Sequence, residues 1–204
     1  MTPPNRNTQS TTSLTLLESL REGSQPAWRL FFDRYASMLF SIARRLGLNE
    51  IDAQDAVQET LIAVHRAFSS MEEPFDRQSG RFKAWLRGIV KHKIADMHRR
   101  RIRSRIHEGE LPAAGLDSSP LNAPMDEAFE IEWQQARLTA ALDIIAKESD
   151  PAVFQAFQLC AIDGRDARDV SRLLGITRNA VYISKTRIIK KLKVIVDRLE
   201  AEEG

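Results

Sequence analysis

Apolar side chains recur at three- and four-residue spacing along almost the whole chain, and no stretch alternates with the period of two that a half-buried strand requires. Leu14 to Arg21 predicts a short helix. Ala27 to Leu46 predicts a longer one, with Leu30, Phe31, Tyr35, Leu39, Ile42, Ala43 and Leu46 on one stripe and Gly47 closing it. A third helix begins near Ile51 and turns Val57, Leu61, Val64 and Phe68 inward. Asp52 and Asp55 lie near its start, where negative charge suits the helix dipole, and its outer face shows Asp55, Gln58 and Glu59.

The turn-rich loop MEEPFDRQSG, 71–80, leads into GRFKAWLRGIVKHKIADMHRRR, 80–101. On a helical wheel Phe82, Trp85, Leu86, Ile89, Val90 and Met97 gather on one side of that helix, and Lys83, Arg87, Lys91 and His98 on another. Lys93 falls toward the apolar side, so it must either reach past it to solvent or meet an anion. Gly88 costs the helix about 1 kcal/mol relative to alanine, which suggests close packing against a neighbour. Trp85 is expected to anchor the core rather than stack on a base.

Residues 12–106 thus predict one helical domain. The segment 107–127, HEGELPAAGLDSSPLNAPMDE, holds three prolines and two glycines with few large apolar side chains, the composition of a flexible linker. Helices are predicted beyond it over Ala128 to Ile145, Pro151 to Ile162, Ala167 to Leu174 and Thr177 to Arg198. The expected fold is therefore all-α, with two helical domains joined by a linker, the second spanning 128–200.

That second domain carries the most specific local pattern, DVSRLLGITRNAVYISKTRIIKKL, 169–192. Val170, Leu173 and Leu174 give a short apolar face, Gly175 supplies a left-handed helix end, and Thr177 can cap the next helix. Val181 and Ile188 turn that helix to the core, which leaves Arg178, Asn179, Tyr182, Lys185, Thr186 and Arg187 over the faces left to solvent. This is the arrangement of a helix-turn-helix whose second helix meets the major groove. Asn and Arg suit base edges, whereas Lys190, Lys191 and Lys193 suit phosphates.

Charge sharpens the picture. The net charge of +2 sums opposed blocks: eleven Lys or Arg against Asp96 alone over 77–107, seven acids and no Lys or Arg over 108–135, and seven basic residues against Asp197 over 177–198. A single basic amphipathic helix fits a lipid surface, a partner's groove or a phosphate backbone equally. Two basic segments separated by an acidic linker favour a polyanion contacted twice. The lone Cys160 excludes an internal disulfide and reads as a small core side chain, and no apolar run is long enough to span a membrane. A metal-dependent hydrolase built on the carboxylates at 52, 55 and 59 lacks histidines at ligand spacing, so no metal, cofactor or enzymatic activity is expected.

In order along the chain, AWRLFFDRYASMLFSIARRLGL, DAQDAVQETLIAVHRAF, GRFKAWLRGIVKHKIADMHRRR and GITRNAVYISKTRIIKKL resemble the first helix of region 2, the polymerase-binding helix, the promoter-melting helix and the region-4 recognition helix of extracytoplasmic-function (ECF) sigma factors. Tyr182 and Ile183 depart from the family's usual Lys or Arg followed by Ser, so promoter contacts there are expected to differ. The resemblance implies a cytoplasmic factor that directs bacterial RNA polymerase core to specific promoters and promotes DNA opening. It implies that Asp52, Asp55, Gln58 and Glu59 meet the coiled coil of the polymerase's largest subunit. Loop 71–81 would hold a flipped −10 base, and Arg81, Lys83, Arg87, Lys91, Lys93, Arg99 and Arg100 would follow −10 DNA. Arg178, Asn179, Tyr182, Lys185, Thr186, Arg187 and Lys190 would read the −35 duplex, with region 4 against the flap of the second-largest subunit. An anti-sigma factor is a further candidate partner. The competing expectation is a stand-alone helix-turn-helix regulator that binds duplex operator DNA without polymerase.

Overall fold

The computed structural model describes residues 13–70, 82–107 and 122–203, and these contain helices and no strand. The helices are α1 (Ser13–Arg21), α2 (Gln25–Arg45), α3 (Glu50–Ser69), α4 (Phe82–His107), α5 (Asn122–Glu148), α6 (Pro151–Phe157), α7 (Ala167–Leu174) and α8 (Arg178–Glu203), with a π-helical turn over Gln158–Ile162 after α6. Two compact units divide the chain, the first running to Ala136 and the second spanning Arg137–Ala201.

In the first unit, Ser24 caps α2, its side chain accepting from the Ala27 amide, and Pro26 occupies the first turn, where its missing N–H has no intrahelical partner to lose. The helix ends at Gly47, φ +86°, a left-handed position in which glycine meets no Cβ penalty. Asn49 begins α3 two residues later by accepting the Asp52 amide at 2.8 Å. That short connection brings α2 and α3 side by side with Leu48 buried between the turns. Phe82, Leu86, Val90, Ile94 and Met97 lie along one side of α4, and all five are buried in the core made with α2 and α3. Leu16, Leu17 and Leu20 of α1 close it.

Four local expectations change, one of them in the second unit, where Leu173 is 60% exposed rather than on the apolar face of α7. Leu30 is 47% exposed rather than inward; Ala27, a smaller side chain one turn earlier, and Met38 take the buried positions. Gly88 packs against nothing, since a Cβ built there meets no atom within 4 Å. The helix expected from Ala128 begins inside the expected linker, at Asn122, and its residues up to Ala136 belong to the first unit, while 108–121 of that linker lie outside the described residues. Met125, Phe129 and Trp133, spaced by four, each bury to 1% exposure; Trp133 stacks on Tyr35 and Phe129 at 5.5 and 5.4 Å between ring centroids. An apolar anchor of that size outweighs the turn-forming residues before it.

In the second unit, α7 ends at Gly175, φ +66°, and Thr177 accepts the Ala180 amide at 3.1 Å to start α8. Ala156, Ala167, Val170 and Val181 form one small core; Ala141, Ile145, Phe157, Ile188, Ile195 and Leu199 form another. Cys160 is half-buried against the first of these.

Because the Gly88 position has room for a methyl group and an ordinary helical backbone, Gly88→Ala is expected to raise stability by about 1 kcal/mol in chemical denaturation. An unchanged or lower midpoint would mean that the site needs glycine for a contact the fold does not show.

Candidate nucleic-acid interface

The outer face of α3 and the charged side of α4 meet at Glu59. Its carboxylate accepts from Arg100 Nη1 at 2.5 Å and lies 3.5 Å from Lys93 Nζ, which answers the question Lys93 raised: its partner is an anion. The hydrogen bond from Arg100 is the main reason the Glu59 carboxyl titrates below its ordinary range, with the charges of Arg100 and Lys93 adding to it. Glu59 therefore turns toward α4, while Asp55 and Gln58 are exposed and Asp52 is half-buried beside the Asn49 cap. Of the four residues expected on one polar face, Asp55 and Gln58 present themselves outward most fully.

Along α4, Lys83 Nζ is 2.6 Å from Glu130 and 5.9 Å from the Trp133 ring centroid. Arg87 is 3.6 Å from Asp126, Arg99 pairs with Asp96, and Lys91 is half-buried. Arg45 of α2 meets Glu132 at 2.5 Å. Arg81 and the loop proposed to hold a base lie outside the described residues. The basic side of α4 is thus lined with carboxylates, two of them supplied by α5, whose Glu132 meets α2 instead. Partly exposed pairs of this kind contribute about 0–1 kcal/mol each, so they orient the cations without committing them, and a phosphate can replace the carboxylate. The α5 acids were not among the expected site residues. Their signal was the acidic block over 108–135, opposite in sign to the basic block before it.

Trp85 is half-buried and packs edge-on against Phe68 at 5.7 Å and tilted against Phe82 at 5.9 Å, as a brace for the helix. His98 Nε2 lies 3.0 Å from the Leu46 carbonyl, tying α4 to the end of α2.

In the second unit Val181, Ser184, Ile188, Ile195 and Leu199 face inward on α8. Arg178, Asn179, Tyr182, Thr186, Arg187 and Lys190 are exposed, together with Ile183; Lys185 is half-buried at the margin of this face. Among the described residues no group of acidic, His or Cys side chains is arranged to hold a metal ion, and no helix is long and apolar enough to cross a membrane.

Residues 31–104, from α2 to the end of α4, match the sigma-70 region 2 family. The chain is 30% identical over 165 residues to the ECF RNA polymerase sigma factor SigD of Mycobacterium tuberculosis, an alignment covering 78% of this chain and 69% of SigD. The chain belongs to the ECF sigma factors. It is also 30% identical over 160 residues to the ECF sigma factor SigE of Mycolicibacterium smegmatis, covering 78% of this chain but 58% of that longer relative. The solved structure of CnrH in complex with the cytosolic domain of CnrY aligns with 90% of this chain and 96% of CnrH at 22% identity and a TM-score of 0.36. Region 2 of this sigma factor therefore comprises the helices that bring the Asp55 and Gln58 face and the basic side of α4 into one unit.

Glu59 titrates lower in the folded chain than in the unfolded one, so its ion pairs stabilise the fold above the ordinary glutamate value of about 4.3 and cease to do so as pH falls through the depressed folded value. Glu59→Gln should accordingly be less stable than the parent at pH 7, and the gap should narrow on acidification; a pH-independent gap in urea midpoints would remove this role.

Proposed function

We propose that this ECF sigma factor is a non-enzymatic initiation factor that directs bacterial RNA polymerase core to a class of promoters and promotes opening of the DNA there. The observation that supports it most is the region-2 match over 31–104, which falls on the helices carrying both the exposed acidic and amide face of α3 and the basic side of α4. Such a factor works in the cytoplasm.

In this scheme Asp55 and Gln58, with Asp52 at the margin, dock on the coiled coil of the largest subunit, and Glu59 braces Lys93 and Arg100 beside that contact. Lys83, Arg87, Lys91, Lys93, Arg99 and Arg100, with Arg81, follow the backbone of the −10 strand as it leaves the duplex. A cationic groove suits a single strand because the phosphates are the one feature every sequence shares. The second unit forms region 4: α7, the turn at Gly175 and α8 act as a helix-turn-helix on the −35 duplex, beside the flap of the second-largest subunit. The first unit, which includes α5 up to Ala136, and the second unit serve as the two contact modules, and joining them raises affinity through effective concentration.

Run-off transcription with purified core polymerase, on promoters enriched by the reconstituted holoenzyme, should give a promoter-specific transcript only when this protein is added. Tight duplex binding with no effect on core polymerase would instead establish a stand-alone regulator. Asp55→Ala with Gln58→Ala should weaken core binding about tenfold, the scale of 1.4 kcal/mol, and leave binding to isolated duplex unchanged; equal loss of both would remove the assigned interface. Asp126→Asn with Glu130→Gln, which frees Lys83 and Arg87 of their carboxylates, should tighten binding to a −10 single strand, and weaker binding would place those cations elsewhere.

A further inference from the structure

On the proposal that α8 reads duplex DNA, we infer that Ile183 and Thr186, flanked by Tyr182, form an apolar strip that recognises the C5-methyl groups of thymine in the major groove. Positions 179, 182, 183, 186, 187 and 190 follow one another by three or one along α8 and make a single outward stripe, the complement of the inward positions 181, 184 and 188. Its middle is apolar. Tyr182 is 53% exposed and Ile183 50% exposed, although the helix already has Val181 and Ile188, both wholly buried, to hold it in the core. Packing does not call for an isoleucine on this side.

Thr186 strengthens the assignment. Its hydroxyl donates to the Tyr182 carbonyl one turn back, at 3.0 Å, so its proton is committed to the backbone, and the γ-methyl is the apolar group that this exposed residue adds to the strip. Tyr182, Ile183 and Thr186 line a shallow depression together with Arg187 and Lys190. Asn179 lies one turn toward the N-terminus of the helix, an amide able to meet a base edge. Apolar centre, polar N-terminal end and cationic C-terminal end match what a thymine-containing groove offers: a methyl group between hydrogen-bonding base edges, with phosphates along the rim. A thymine methyl is the one apolar group that any base presents in the major groove. The strip therefore specifies thymine by a contact that neither cytosine nor uracil can supply.

Deoxyuridine tests this directly, because it keeps every hydrogen-bonding group of thymine and removes only the methyl. The probe is the upstream duplex enriched from a randomised pool by core polymerase carrying the full-length protein, remade with deoxyuridine at each thymine in turn. At one or two positions the substitution should weaken binding about fourfold, the equivalent of one buried methyl group. Ile183→Ser, and Thr186→Ser as the variant that keeps the hydroxyl and its backbone bond, should bind the thymine and deoxyuridine probes alike at those positions. If the duplex is bound but deoxyuridine is tolerated everywhere, the methyl contact is wrong and the duplex-reading role of α8 stands. If no upstream duplex is enriched or protected, the duplex-reading role itself fails and the inference falls with it. If Ile183→Ser loses affinity equally for both probes, or changes the oligomeric state instead, the strip serves packing or self-association and the inference is overturned.

Discussion

Burial of Phe82, Leu86, Val90, Ile94 and Met97 fixes the rotation of α4 about its own axis, and the rest of the first unit follows from that constraint. A helix with eleven basic residues in and around it could present them in any direction if it were free. With five large side chains committed to the core against α2 and α3, and Trp85 wedged between Phe68 and Phe82, Lys83, Arg87 and Arg100 can only lie along the opposite and flanking sides. Each buried aliphatic or aromatic side chain contributes about 1.5–3 kcal/mol, several times what an exposed ion pair does. Apolar packing therefore decides where the charges go, and the charges decide only what they meet.

What they meet within the chain is carboxylate. Glu59 takes Lys93 and Arg100, Glu130 takes Lys83, Asp126 takes Arg87, and Asp96 takes Arg99. These pairs hold long, flexible side chains in place along α4, and on the proposed role their weakness would let a phosphate take the carboxylate's place. The same economy appears on α8, where the inward positions are fully satisfied by Val181, Ser184 and Ile188 and the outward stripe is left to chemistry rather than stability.

Much of this was legible in the chain itself. The helix ends at Gly47 and Gly175 follow from a local requirement for a left-handed backbone, and the inward positions of α3, α4 and α8 follow from a periodicity that every turn repeats. Lys93 was visible as a charge on the apolar side and needed an anion, but nothing local could say that the anion was Glu59, 34 residues away. Leu30 fits the stripe of α2 by spacing and is nevertheless exposed, because the neighbours available to that helix cover a narrower arc than its apolar residues span. Docking of α5 was hidden for the same reason: Met125, Phe129 and Trp133 follow a proline-containing stretch, and only the tertiary partners Tyr35 and Phe82 reveal why they are apolar.

On the proposed function the basic side of α4 faces a strand being separated rather than an intact duplex. Permanganate reactivity of thymines across the −10 region, in promoter DNA bound by core polymerase with this protein, tests it most directly. The expected result is a patch of reactive, unpaired thymines that appears only when polymerase and this factor are both present and shrinks when Lys83 and Arg87 are neutralised together. A promoter that is bound and protected but unreactive throughout would contradict it.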